Sequence, residues 1–172
     1  MTRSLLVACA AAMLLLSCGY HVGGKADLMP KNMQTIAIPP FQSLSTRYKL
    51  SDLLPQAIAR EFNTRTRFRV VQNPADADAV LNGRINTVGV YPQVLDPSSG
   101  KATSVQLVVA LTITLVQKNT GKVLFSRTNW TMRDNYEISV YPQQYFDESS
   151  PAMDRLSRDV AHDVVSGIVE DF

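Results

Sequence analysis

Between Thr103 and Gln117 the apolar residues Val105, Leu107, Val109, Leu111, Ile113 and Leu115 stand at every second position. Side chains of an extended strand alternate between its two faces, so this run can bury all six only as a strand with one face against a core. The other face holds Gln106, Thr112 and Thr114 but also Val108, Ala110 and Val116, and is only partly polar. The rest of the chain must supply a layer that covers the first face. The second face is left either as a candidate binding surface or as one that loops or the N-terminal tether cover.

Two segments can supply that layer. Leu50, Leu53, Leu54, Ala57, Ile58 and Phe62 recur at three- and four-residue steps, which predicts an amphipathic helix from about Ser51 to Thr64. Ser51 or Asp52 can cap it, and Pro55 is expected in its first turn. Leu156, Val160, Val164 and Ile168 advance by four, with Met153, Ala161, Val165 and Phe172 beside them, and Arg155, Arg158, Asp159 and Asp163 on the polar side. This predicts a last helix from about Pro151, with Ser150 as its cap.

Short strands are expected at Thr35–Ile38, stopped by Pro39-Pro40, and at Phe68–Val71, followed by a turn over residues 73–78. Ala79 to about Val94 is extended, with Gly83 and Gly89 as expected bulges or bends. Turns are expected at residues 96–100 and 118–122. The return strand from Val123 to about Asn135 changes phase: Val123 and Phe125 are odd, Trp130 and Met132 even. A bulge near Arg127 to Asn129 accounts for the change. The expected architecture is α+β, a two-layer sandwich with two helices packed on one face of a four- to five-stranded mixed sheet.

The N-terminus indicates where such a domain is held. Arg3, the apolar run Leu5–Leu16 and small Ser17 form a secretory signal, and Leu15-Leu16-Ser17-Cys18 resembles a lipobox, cut just before a cysteine that carries lipid. The run is shorter than the about 20 residues that a spanning helix needs. Residues 1–17 are therefore read as a cleaved signal peptide, 18–33 as a lipidated tether with Gly23, Gly24 and Pro30, and 34–172 as a single domain. Cys18 is the expected lipidation site. Each buried methylene contributes about 0.8 kcal/mol, so several acyl chains hold the protein firmly. Cys9 leaves with the signal, and the mature chain has no disulfide. With Gly19 rather than an aspartate after the cysteine, outer-membrane sorting is expected.

The remaining composition points away from chemistry. The formal charge of +2 argues against nucleic-acid binding. His21 and His162 are isolated, no nucleophile elbow or phosphate-cradling loop is present, and Asp76 and Asp78 lack the other ligands of a calcium loop. No catalytic residue, metal site or cofactor is expected, and the chain reads as a binding or assembly protein. The binding candidates are cationic (Arg65, Arg67 and Arg69, then Lys101, Lys118 and Lys122, suited to lipid phosphates) and aromatic (Tyr136, Tyr141, Tyr145 and Phe146).

Cys18-Gly19-Tyr20-His21-Val22 resembles the start of mature LptE-family lipoproteins. The likeness continues through Ile36-Ala37-Ile38-Pro39, the first helix, the long central hairpin and the last helix, with Asp154-Arg155-Leu156-Ser157-Arg158-Asp159-Val160 near its end. The resemblance implies an outer-membrane lipoprotein that assembles with and plugs the LptD β-barrel and supports lipopolysaccharide transport to the outer leaflet. It also implies a lipopolysaccharide contact on a basic residue in the loop before the central strand, where Lys101 is the match. A second basic position of the family has no counterpart between Tyr141 and Ser150. Val108, Ala110, Tyr136, Tyr141 and Tyr145 are the candidate partner-interface residues. Ile36 through Val71 is similar, too, to periplasmic lipoproteins of the LpoB and CsgG type, which implies cell-wall synthase activation or secretion as the alternative.

Overall fold

A computed structural model describes residue 30 and residues 33–43, 50–138 and 149–170. The elements run β1 (Thr35–Ala37), β2 (Gln42–Ser43), α1 (Leu50–Arg65), β3 (Arg69–Val71), β4 (Ala79–Leu95), β5 (Ala102–Gln117), β6 (Val123–Glu137) and α2 (Ser149–Glu170). One mixed sheet has the order β3-β1-β4-β5-β6, and β2 also lies beside β4. The short strands pair in parallel, while β4, β5 and β6 form an antiparallel meander. The fold is the expected α+β, with six strands because the two residues of β2 add one.

The alternation in β5 decides where the core lies. Val105, Leu107, Val109, Leu111, Ile113 and Leu115 are all buried, and every even position from Ser104 to Val116 is half-buried. Helix α1 contributes Leu50, Leu54, Ala57, Ile58 and Phe62 to the same core, and α2 contributes Met153, Leu156, Val160, Val164 and Ile168. The helices pack on each other, and α2 packs on β6. The ion pair from Arg155 to Asp134, at 3.1 Å, is partly exposed and contributes at most about 1 kcal/mol. The seat of α2 therefore rests on its apolar stripe, where each buried Leu or Ile contributes about 1.5–3 kcal/mol.

Pro55 lies in the second turn of α1 rather than the first, because the helix begins at Leu50, one residue before the expected start. Its ring nitrogen cannot donate to Ser51, four residues back. The Ser51 carbonyl accepts the Phe41 N–H instead, at 3.0 Å. That bond ties the segment between β1 and β2 to the helix. It also fixes Phe41, whose ring lies directly over Gly83 on the core side of β4.

The expected bulge in β6 is present. Leu111 faces Trp130 and Ile113 faces Arg127, so Thr128 and Asn129 both lie opposite Thr112. Asn129 has φ 53°, the left-handed conformation that Asn tolerates better than most residues. The irregularity of β4 is not at Gly83 or Gly89, as expected, but at Asn86, which is squeezed out between Ile85 and Thr87. The two glycines instead make room for rings: Phe41 over Gly83, and Tyr91 over Gly89 with Cε2 2.7 Å from where a Cβ would stand. Both bulges flank Thr112, whose Oγ1 accepts from Asn86 Nδ2 at 2.9 Å and from the Asn129 N–H at 3.3 Å.

The turns follow their residues. Gly100 and Gly121 take φ of 66° and 67° in the two loops. Asn73 opens a 3-10 turn at Pro74–Asp76 by accepting the Ala75 N–H. Asp78, read as a turn residue, is a staple as well. Its Oδ2 accepts from the N–H groups of Gln34 and Thr35 and from Thr35 Oγ1, at 2.8–2.9 Å. The Asp78 N–H returns a bond to Thr35 Oγ1. The two backbone donors above all hold its carboxyl below the ordinary value of 3.8, against a smaller upward push from burial.

Two outcomes follow for stability. Gly83→Ala puts a methyl group into the Phe41 ring and is expected to lower unfolding free energy by about 1–3 kcal/mol, read from the urea midpoint. Asp78→Ala is expected to cost about 2 kcal/mol at neutral pH, because hydrogen bonds to a charged group contribute about 1.5–3 kcal/mol. Because folding lowers the Asp78 pKa, its contribution is complete above the ordinary value of 3.8 and is lost as pH falls through the folded value. Urea titrations at pH 7 and pH 3 should therefore show wild type and Asp78→Ala converging in acid.

Candidate interaction surface

The helices cover one side of the sheet, and the antiparallel register shows what stands on the other, since directly opposed residues share a face. Along β5, Gln106 lies between Tyr91 and Asn135, Val108 between Gly89 and Arg133, Ala110 between Thr87 and Thr131, and Thr114 between Asn82 and Ser126. Thr112 lies between Arg84 and the β6 bulge, and Val116 between Val80 and Val123. The surface is thus banded. Val108 and Ala110 form an apolar band beside Gly89, which the Tyr91 ring covers. A polar band crosses the bulges, and Val80, Val116 and Val123 form a second apolar band.

The polar band is concave. A groove of about 490 Å³ is lined by Pro39, Pro40, Gln42, Asn82, Arg84, Asn86, Thr112 and Thr114. Arg84 Nη2 donates to Gln42 Oε1 at 3.1 Å, which holds the guanidinium beside this groove without a carboxylate partner among the described residues. Arg84 and Arg133 on the open face are countered there by Glu137, opposite Ser104. Even positions of β5 alone predict a half-apolar face. Its neighbours make the surface polar and cationic between apolar bands.

The β4–β5 hairpin projects beyond the core. Tyr91, Val94 and Leu95 are more than half exposed there. Its loop is organised by Asp96, which accepts from the Ser98 and Ser99 hydroxyls and from both their N–H groups. The two hydroxyls above all hold its carboxyl down at about 2. Lys101 follows, exposed, with its carbonyl accepting the Asp96 N–H at 2.8 Å.

The candidate residues divide accordingly. Val108 and Ala110 stand side by side on the open face. Lys101 is at the hairpin tip, away from them. Tyr136 is placed by its pairing with Val105 on the helix side, 7 % exposed and part of the core. Its burial takes it off the displayed surface, and the even-numbered apolar phase after the β6 bulge is the cause. Cys18, Tyr141 and Tyr145 lie outside the described residues. The three arginines near the end of α1 separate: Arg65 Nη1 bonds Glu61, His162 and Ser166 across the two helices at 3.0–3.1 Å. Arg67 and Arg69 point elsewhere, into a groove with Met33, Gln34 and Thr35. Arg84, Arg133 and Tyr91 were not singled out from sequence. The signal for them is register, which places them beside β5 only once the Asn86 and Asn129 bulges are located.

Among the described residues no cluster of three or more His, Cys, Asp and Glu side chains is arranged to hold a metal. No helix among them is long and apolar enough to cross a membrane.

Comparison with known proteins bears on the fold and on the family. Among solved structures, a putative lipoprotein from Caulobacter crescentus aligns with a TM-score of 0.52 at 13 % identity, covering 77 % of this chain and 87 % of its own. Uncharacterized lipoprotein B from Nitrosomonas europaea aligns with a TM-score of 0.53 at 14 % identity, covering 80 % and 83 %. At these identities the likeness is one of fold. A search of curated protein sequences finds no relative of the chain. The model of the LptE lipopolysaccharide-assembly family matches residues 33–171, from two residues before β1 to one residue past α2. With the match spanning the whole of the described fold, the chain belongs to the LptE family of lipopolysaccharide-assembly proteins.

Proposed function

We propose that this protein is a lipid-anchored component of the outer membrane that seats its domain inside an LptD-like β-barrel and supports delivery of lipopolysaccharide to the outer leaflet. The family match over residues 33–171 carries the reading. Three features support it. The fold buries one side of its sheet and displays the other, as a plug that must contact a surrounding wall requires. The displayed side has apolar bands for packing and arginines for polar contact, the mixture found in protein interfaces. Cys18, as the expected acylated residue, holds the domain at the membrane where such a barrel resides.

The hairpin tip is the proposed lipopolysaccharide contact. Lys101 is exposed there next to the pair of Leu95 with Ala102, with exposed Val94 following on β4, an arrangement that offers a cation to a phosphate and apolar surface to an acyl chain. Val108 and Ala110 are the proposed barrel contacts, joined by Arg133 next to Val108. The protein works by binding, and the residues assigned here position partners without any bond-making step.

The test is recovery of the barrel with the C-terminally tagged chain in mild detergent, identified by mass spectrometry. Wild type is expected to bring down an outer-membrane barrel in near-stoichiometric amount. Val108→Glu and Arg133→Glu are expected to reduce that recovery at least several-fold while the purified variants keep the wild-type circular dichroism spectrum. Recovery of a cell-wall synthase or of a homo-oligomer instead of a barrel would sink the reading.

A further inference from the structure

The groove that holds Arg67 and Arg69 is separate from the open band around Arg84 and from the hairpin tip. It measures about 430 Å³ and is lined by Met33, Gln34, Thr35, Arg67 and Arg69. Arg67, in the bend before β3, and Arg69, its first residue, are exposed on either side of buried Phe68, and both line the groove. The Arg67 guanidinium rests over the Phe68 ring at 5.5 Å, which limits its freedom. The Arg69 N–H donates to the Gln34 carbonyl at 2.9 Å, which fixes its backbone. Neither side chain makes an ion pair among the described residues, and no carboxylate lines the groove. Asp78 lies at this end of the sheet as a carboxylate that does not line the groove, held on the N–H groups of Gln34 and Thr35 with Lys118 as its cationic neighbour. A groove that presents two unpaired guanidinium groups and no acid is built for an anion.

Its place in the fold says which anion. Arg69 is level with Thr35, where β1 begins, and the chain enters there through Pro30 and Met33, whose N–H donates to the Pro30 carbonyl. From Cys18 to Pro30 the chain spans at most about 40 Å when fully extended. The loop between β5 and β6, with Lys118 and Lys122, is at the same end, since Gln117 pairs with Ala79 and the Lys118 N–H donates to Asp78. Against Asp76 and Asp78, the end where the chain enters the fold carries Arg67, Arg69, Lys118 and Lys122, so the end expected nearest the anchor is cationic on balance. The hairpin tip with Asp96 and Lys101 lies at the opposite end of β4 and β5.

We propose that the Arg67–Arg69 groove binds the phosphate of a membrane-lipid headgroup and so sets the domain upright on its anchor, basic end toward the lipid and hairpin tip away from it. Guanidinium groups bind phosphate through paired, charge-assisted hydrogen bonds. Acyl chains at Cys18 hold the protein at the membrane without fixing its tilt, and a second contact at the foot of the sheet fixes it. The site does not depend on the barrel, and its test needs none.

The full chain, purified in a neutral sugar detergent, is titrated with dihexanoyl phosphatidylglycerol, with inorganic phosphate and with purified lipopolysaccharide, while amide NMR signals of Gln34, Thr35 and Arg69 are followed. Saturable shifts at those amides with phosphatidylglycerol are expected, weakened at least about tenfold in the Arg67→Gln/Arg69→Gln double variant and unchanged in Arg158→Gln. The Arg67→Lys/Arg69→Lys variant keeps the charge and is expected to bind with intermediate strength. Both altered side chains are exposed, so the spectra also report that the fold is intact. Shifts with lipopolysaccharide in place of phosphatidylglycerol would keep the phosphate site and assign it to the glycolipid. Shifts no stronger with either lipid than with inorganic phosphate, no shifts at these amides, or shifts that survive the double glutamine variant would overturn the proposal.

Discussion

Burial of β5 on one side only is the constraint on which the other elements depend. Six apolar side chains at alternate positions demand a cover, and the cover must lie within reach along the whole strand. Two helices with one apolar stripe each provide it, one inserted between β1 and β3 and one after β6. Because both helices are used on that side, nothing among the described elements remains for the other. The open face follows from that use: the two amphipathic helices make one layer, and among the described residues no further element covers the other side of the sheet.

The parts that could be read from sequence are those where period and punctuation agree. The β5 alternation, the helical stripes, the glycine loops at Gly100 and Gly121 and the phase change in β6 are each carried by residues close together in the chain, and the structure has each where its pattern puts it. The parts that could not be read depend on pairing. Nothing local marks Asn86 as the bulged residue of β4. Its neighbours Gly83 and Gly89 look like better breakers until the rings of Phe41 and Tyr91 are seen above them. Tyr136 looks like a surface aromatic until the bulge at Thr128 and Asn129 turns it inward. The second-turn position of Pro55 follows from the helix start at Leu50, and the Ser51 carbonyl it leaves free is met by the Phe41 N–H through space.

The candidate surface was likewise half visible. Val108 and Ala110 follow from β5 alone, and they are on the open face. Their neighbours decide its chemistry, however, and Arg84, Arg133 and Thr131 enter only through register. A strand contributes every second residue to a shared surface, so reading one strand reveals a third or so of what a three-stranded face offers a partner. The cationic groups that sequence spacing gathers into one cluster, Arg65, Arg67 and Arg69, are divided in space: one joins the helices, and the other two face outward at the base. For an LptE-family chain that division separates what holds the domain together from what it presents to others.

The upper half of β4 has one further consequence. Beyond Asn86 it pairs with β5 alone among the described residues, which leaves an unprotected edge next to exposed Tyr91, Val94 and Leu95. A flat apolar edge of that kind recruits foreign strands. Pro92 removes one amide donor from it, and the register breaks twice more, between Pro92 and Val94 and between Val94 and Leu95. A segment that keeps three large apolar side chains exposed is thereby kept from serving as a template for self-assembly.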